Sequence, residues 1–304
     1  MGSRWMLIGS IAIVFVLCFW SQGRFAQPAP ALVSSTTPPE RIVTMAPSVT
    51  ETAFALGLGD RVVGVSSYCT YPPEALDKPK IGGFLNPNYE RIVGLRPDAI
   101  LLLKSSGGAP STLRKLRLPV LEISHLSVDG ILDSIQRVGQ VCGAEPEAEA
   151  IVVDIRSRLE AIDRKTADRP RPRVLISIDR TPGTGTLQDV YVAGDDGHID
   201  RIIELAGGRN ALTETRARFP VVSHEGILKI NPEVVVDLAY GVVGGGTDES
   251  TFLADWQSLP QIDAVRNGQV HLVADKYATV PGPRFILFVE KLAQLLHPEI
   301  DWNK

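Results

Sequence analysis

The stretch EPEAEAIVVDIRSRLEAIDRKTAD, residues 145–168, decides how this chain is organised. Apolar side chains recur at Ala148, Ile151, Val152, Ile155, Leu159 and Ile162. Steps of three and four put them on one side of a helix of about six turns. No glycine interrupts the stretch, and Pro146 falls in the first turn, where a missing N–H costs nothing. The RPRP run at 169–172 cannot continue a helix. Alternating α/β pattern lies on both sides, so the helix reads as a strut between two lobes. The expected division is an N-terminal signal peptide or anchor at residues 1–26 and a flexible tether at 27–39. A first lobe follows at 40–143, the linker helix at 144–168 and a second lobe at 169–304.

Before the strut, apolar runs at 41–45, 61–65, 98–103 and 119–123 predict strands. Near-continuous apolar character suits strands covered on both faces. Ser48 and Glu51 form the S-x-x-E pattern of a capping box. Ser127 is placed to cap a helix running to Cys142, and the prolines and tyrosines of residues 67–74 predict an ordered loop. After the strut, strands are expected at 173–178, 232–238 and 269–273, and helices at 198–206 and 283–296. Strands alternating with helices imply an α/β fold with a parallel sheet in each lobe.

An internal repeat supports two related lobes. ERIVGLRPDAIL, starting at Glu90, matches EGILKINPEVVV, starting at Glu225, in its apolar positions, its proline and the acid that follows. Each Glu opens a short helix that feeds an apolar strand, and Asn88 and Ser223, each two residues earlier, are suited to N-cap it.

The totals narrow the function. With 304 residues, 44% hydrophobic and 22% charged, the chain is globular and long enough for two domains. A net charge of −4 gives no reason to expect a nucleic-acid partner. Arg4 followed by fifteen uncharged residues, Met6 to Trp20, resembles a secretory segment, so a periplasmic or other extracytoplasmic location is expected, with cleavage and retention as an anchor both open. Cys69 and Cys142 remain in the exported part, either bridged or buried separately.

Catalytic signatures are missing: there is no G-x-S-x-G elbow, P-loop, H-E-x-x-H or zinc-type cysteine spacing. The glycine run at 244–246 lacks the lysine of a phosphate loop. DDGHID at 195–200 offers Asp195, Asp196, His198 and Asp200 as metal ligands, or as ordinary acids at a helix start. His125 and His271 stand at strand ends, each read as a satisfied structural histidine. No bound cofactor or metal is expected. Aromatic residues are only 6% of the chain, yet Tyr68, Tyr71 and Phe84 fall in loops of the first lobe, and Tyr191, Phe219, Trp256 and Tyr277 in or beside loops of the second. Open α/β sheets bind ligands at such loops, where aromatics offer flat apolar area.

Several segments together carry a family resemblance: RIVTMAPSVTETAFALG at 41–57, VGVSSYCTYPPEA at 63–75, NYERIVGLRPDAI at 88–100 and FPVVSHEGIL at 219–228. Over residues 40–297 the chain resembles the periplasmic substrate-binding proteins of cobalamin and iron-complex ABC importers, and looks most like the cobalamin-binding member. The resemblance implies two Rossmann-like lobes with central parallel sheets, joined by one long helix that limits closure. It implies a corrinoid held between Tyr68, Phe84, Tyr191 and Phe219, with Asp275 and Tyr277 bordering the cleft, and no catalysis. Phe84 and Phe219 stand where the cobalamin binder has Trp, which keeps the stacking surface and loses the indole N–H groups. Glu90 and Glu225 match the acids that engage arginines of a homodimeric permease, which works with a cytoplasmic ATPase; the binding protein itself is expected as a monomer.

Heme and ferric siderophore are the alternatives within the family. Heme would want an axial ligand such as Tyr68, and a siderophore would want cations such as Arg180, Arg218 and Arg284. A metal-dependent enzyme built on Asp195, Asp196, His198 and Asp200 is the alternative of another class.

Overall fold

A computed structural model describes residues 37–104, 108–238 and 249–302. The expected export segment, tether residues 27–36 and the glycine run at 244–246 lie outside the described residues.

The linker forms as a helix over Glu145–Thr166, with Pro146 in its first turn, acids Glu145 and Glu147 at its start and Arg164 and Lys165 at its end. That charge order complements the helix dipole. The 22 residues span about 33 Å. Five residues of its inner side are buried: Ala148, Val152, Ile155, Ile162 and Thr166.

Before it, the first lobe runs β1 (Ile42–Thr44), α1 (Pro47–Ala55), β2 (Val62–Val65), α2 (Tyr89–Gly94), β3 (Ala99–Leu103), α3 (Ala109–Lys115), β4 (Val120–Ile123) and α4 (Val128–Cys142). Its strands form a parallel sheet in the order β2-β1-β3-β4. The linker is α5. The second lobe runs β5 (Arg173–Asp179), β6 (Val190–Val192), α6 (His198–Leu205), β7 (Arg209–Asn210), β8 (Val221–Val222), α7 (His224–Ile230), β9 (Val234–Leu238), α8 (Glu249–Trp256), α9 (Asp263–Arg266), β10 (Val270–Val273) and α10 (Phe285–Leu296).

The second sheet is ordered β10-β9-β5-β6-β8, with β7 paired to β5. Its centre is parallel, as expected, and β6 adds an antiparallel edge by pairing with both β5 and β8. Strands of two and three residues carry too little pattern to be read from sequence.

Successive side chains of a strand point to opposite faces of the sheet. Ile42, Leu101, Val174, Ile176, Val234 and Val236 point into one apolar cluster that also takes in α4, the α5 stripe and α10. Val43, Ile100 and Leu102 on the opposite face of the first sheet belong to a second cluster, and Leu175 and Val235 on the far face of the second sheet to a third. The inner faces of both sheets therefore share one core through α5. Contact is close: a Cβ on Gly139 of α4 would stand 2.5 Å from Ala148 Cβ. On the other side, Arg158 of α5 grips Glu290 of α10 through two hydrogen bonds of 2.7 and 2.6 Å.

The repeat is visible atom by atom. β3 and β9 start at Ala99 and Val234, 135 residues apart. Asn88 Oδ1 accepts from Arg91 N at 2.9 Å, and Ser223 Oγ from Gly226 N at 3.2 Å, as N-caps. Asp98 accepts the Arg41 N–H at 2.8 Å, and Glu233 the Arg173 N–H at 2.5 Å. Each arginine then donates to the carbonyls that end the short helix: Arg41 to Leu95 and Arg96, Arg173 to Ile230 and Asn231. Arg96 and Asn231 share a left-handed backbone, with φ of 48° and 45°.

One expectation fails, and an open alternative is resolved. The capping box does not form, because α1 begins at Pro47 and its N-cap is Ala46, without a side-chain cap. Pro favours the first helical position, and this puts Ser48 inside the helix. Of the two alternatives for Cys69 and Cys142, separate burial is the one found, with both thiols buried and free. The Cys142 carbonyl accepts from Arg61 at 2.8 Å, just before β2, whereas Cys69 lies beyond the other end of β2 beside Thr50 and Ser66.

Candidate functional site

The first-lobe loop after β2 is the ordered element expected at residues 67–74. Ser67 N donates to the Gly82 carbonyl at 2.9 Å, and Lys80 Nζ donates to the carbonyls of Cys69 and Ala75 at 3.2 and 2.8 Å. Held this way, the loop presents Tyr68 at 63% exposure and Tyr71 at 42%. Tyr68 packs beside the Phe84 loop, since a Cβ on Gly83 would lie 3.2 Å from its ring. Phe84 itself is half-buried against the core.

In the second lobe the antiparallel edge builds the aromatic surface. Tyr191 of β6 stands opposite Val221 of β8, and Phe219 is two residues before Val221, which puts both on one side of that strand. All three side chains are exposed, at 45%, 49% and 42% for Tyr191, Val221 and Phe219. Phe219 stands 135 residues after Phe84, as Glu225 does after Glu90. In both lobes a phenylalanine is followed six residues later by the exposed acid of a capped helix.

A cavity of about 330 Å³ lies between the lobes. First-lobe residues Glu51, Tyr68 and Tyr71 line it together with Lys276 and Arg284 of the second. Arg284 bonds Glu51 through Nε and Nη2 at 2.9 and 2.6 Å, and its guanidinium stacks 3.5 Å from the Tyr71 ring centroid. Lys276 Nζ reaches Thr70 Oγ1 at 3.2 Å. Burial raises the pKa of the Glu51 carboxyl above its usual value, against the opposing effect of Arg284. Tyr277 packs partly against the core, and burial, with a hydrogen bond to Asp275, pushes its phenol up to about 12.

The expected residues thus fall in two groups. Tyr68 lines the inter-lobe cavity, with the Phe84 loop beside it and Asp275 and Tyr277 flanking Lys276. Tyr191 lines a separate cavity of about 350 Å³ with Asp179, Arg180 and Asp189. Glu51, Thr70 and Lys276 were missed by sequence reasoning. Glu51 was assigned to helix capping, and the others form contacts visible only once the lobes meet.

Glu90 and Glu225 are both exposed, in the first turns of α2 and α7. The Glu225 carboxyl is held below its usual range by its own backbone N–H and by the Ser223 hydroxyl.

Other candidates are committed elsewhere. The Arg180 side chain is buried between Asp237 and Asp255, at 2.7 and 2.6 Å, so its charge is already paired. Arg284 is already paired with Glu51, and Arg218 Nε donates to the Asp196 carbonyl at 3.3 Å. The DDGHID run does not gather as a metal site. Asp195 accepts from Thr215 and Arg216, Asp200 accepts from Asn210, and His198 is buried. Among the described residues no group of three His, Cys, Asp or Glu is placed to hold a metal ion. His125 is a satisfied core histidine, with Nδ1 2.9 Å from Ser48 Oγ and Nε2 2.7 Å from Ser134 Oγ.

Comparison with known proteins agrees with this architecture. The family model described as "Periplasmic binding protein" matches residues 42–277. An uncharacterized ABC transporter substrate-binding lipoprotein of Bacillus subtilis (strain 168), YvrC, is 31% identical over 269 residues, covering 86% of this chain and 81% of that protein. The crystal structure of the periplasmic vitamin B12 binding protein BtuF of Vibrio cholerae aligns with a TM-score of 0.74 at 26% identity, over 86% of this chain and 98% of that one. The periplasmic heme-binding protein RhuT from Roseiflexus sp. RS-1, in apo form, aligns with a TM-score of 0.72 at 26% identity, over 85% and 98%. The α/β fold is thus shared with proteins named as binders, and the chain belongs to the periplasmic binding protein family.

Proposed function

We propose that this protein is the extracytoplasmic substrate-binding component of an ABC importer, that it binds a cobalamin-like corrinoid between its lobes, and that it hands the ligand to a permease without a chemical step. The observation that carries the reading is the set of exposed aromatic side chains on both lobes, Tyr68 and Tyr71 on one and Tyr191 and Phe219 on the other. Water-exposed rings at loop ends cost hydrophobic free energy unless a flat apolar partner covers them. A corrin ring is such a partner. The names of similar proteins, vitamin B12 binding in one case and heme binding in another, support the same shape of ligand. Heme stays the second reading because Tyr68 carries an exposed phenol able to meet a metal from above.

Calorimetric titration with cyanocobalamin, heme and a ferric siderophore tests the ligand. Micromolar or tighter binding of cyanocobalamin is expected, and its absence sinks the corrinoid reading.

Glu90 and Glu225, exposed at equivalent places on the two lobes, suit docking on a permease made of two equal subunits. Such charges guide orientation and on-rate more than net affinity. The double variant Glu90→Ala, Glu225→Ala should keep full ligand affinity and lose transport in reconstituted vesicles. Weakened ligand binding in that variant contradicts the docking role.

A further inference from the structure

The inter-lobe cavity holds a charge that aromatic stacking does not use. Three ionisable side chains other than the tyrosines line it: Glu51, Arg284 and Lys276. Glu51 and Arg284 neutralise one another through two hydrogen bonds. Lys276 has a hydroxyl partner, Thr70, and no carboxylate within ion-pair distance among the described residues. The nearest acid in sequence, Asp275, is engaged by the Tyr277 phenol. One ammonium without an ion-pair partner among the described residues therefore borders a cavity also lined by the hydroxyls of Tyr68, Thr70, Tyr71 and Thr279. The positive end of α1 adds to the field, since Pro47 stands on the same wall and no side chain caps that helix.

We infer that this corner is a subsite for an acidic substituent at the rim of the flat ligand, a phosphodiester or a carboxylate, and that Lys276 selects for it. The inference rests on the flat-macrocycle reading above. An acid oxygen replacing Thr70 as the acceptor of the Lys276 ammonium turns a neutral-acceptor hydrogen bond into a charge-assisted one. Both lobes then touch one ligand group, because Thr70 belongs to the first lobe and Lys276 to the second.

Three probes separate the sources of acidity: cyanocobalamin carries one phosphodiester, dicyanocobinamide carries none, and hemin carries two carboxylates. Each is titrated into the unmodified protein, Lys276→Gln and Lys276→Arg. Lys276 is exposed, so both variants should fold, which thermal denaturation checks. Lys276→Gln should weaken cyanocobalamin roughly fivefold, as expected of an exposed ion pair, and leave dicyanocobinamide unchanged. Lys276→Arg should retain most of the affinity, and added salt should weaken cyanocobalamin binding to the unmodified protein and to Lys276→Arg but not to Lys276→Gln. Equal loss for both corrinoids, or no loss for cyanocobalamin, overturns the subsite while the corrinoid reading stands. Binding of hemin alone, with the same dependence on Lys276, keeps the subsite and overturns the corrinoid reading. Binding of none of the three overturns both.

Discussion

His125 and His198 are uncharged in the folded protein at neutral pH. Both are buried, and burial pulls each pKa from 6.5 to about 4. Repulsion from His198 once it is protonated adds to the effect on His125, and the charge of Arg218 adds to the effect on His198. A pKa depressed on folding means that the unfolded chain takes up the proton first. Stability is then fully present above pH 6.5 and falls as the pH drops from there toward 4. Each histidine accounts for about 3 kcal/mol by pH 4. Denaturant titrations at pH 7.5 and 4.5 should show this loss, and His125→Gln and His198→Gln should each flatten the difference while lowering stability at pH 7.5. An unchanged pH difference in both variants contradicts the assignment. The buried role of His125 was legible in the sequence, because an apolar strand leads into it. The role of Glu51 was not. The pattern S-x-x-E is the same whether Ser48 caps a helix or sits inside one, and Arg284, which claims Glu51, is 233 residues away.

At the scale of elements, what could be read was whatever repeats locally. The short helices α2 and α7 were found from their caps and their 135-residue offset, and the hydrogen bonds explain why that pattern is retained in both lobes. A proline-acid pair ends the helix and clamps the next strand: Asp98 and Glu233 each accept the backbone N–H of the arginine that in turn satisfies the helix's last carbonyls. The last carbonyls of a helix have no partner within it, so the arginine that meets them, the acid that holds the arginine and the left-handed residue form one unit. The antiparallel edge was illegible for the opposite reason. Strands β6 and β8 hold three and two residues, and their register is fixed by pairing, as in Tyr191 opposite Val221. That edge nevertheless supplies the second lobe's exposed rings, so the aromatics could be listed from the sequence, but their grouping on one surface could not.

For the whole molecule, the linker helix changes meaning. Read alone, α5 is a strut; in the structure its apolar stripe is the middle of a core continuous from the first sheet to the second. Across the cleft, Glu51–Arg284 and Thr70–Lys276 add polar ties between lobes. Lobes that share a core cannot lose one half without exposing the apolar surface of the other, so unfolding should be a single cooperative transition. The two lobes can be watched separately, because beyond residue 36 the tryptophans are Trp256 and Trp302, both in the second lobe. Tryptophan fluorescence therefore reports that lobe, and far-UV circular dichroism reports both. The two denaturation curves should coincide. Ile155, 1% exposed in the middle of α5, gives the sharper test. Ile155→Ala removes buried methyl groups at the point where the halves meet and should cost about 2–5 kcal/mol. Because that residue belongs to the core both lobes share, the midpoint should fall equally by both probes. Fluorescence and dichroism curves that separate, in the parent or in Ile155→Ala, would mean that the lobes unfold independently and that α5 is a strut after all.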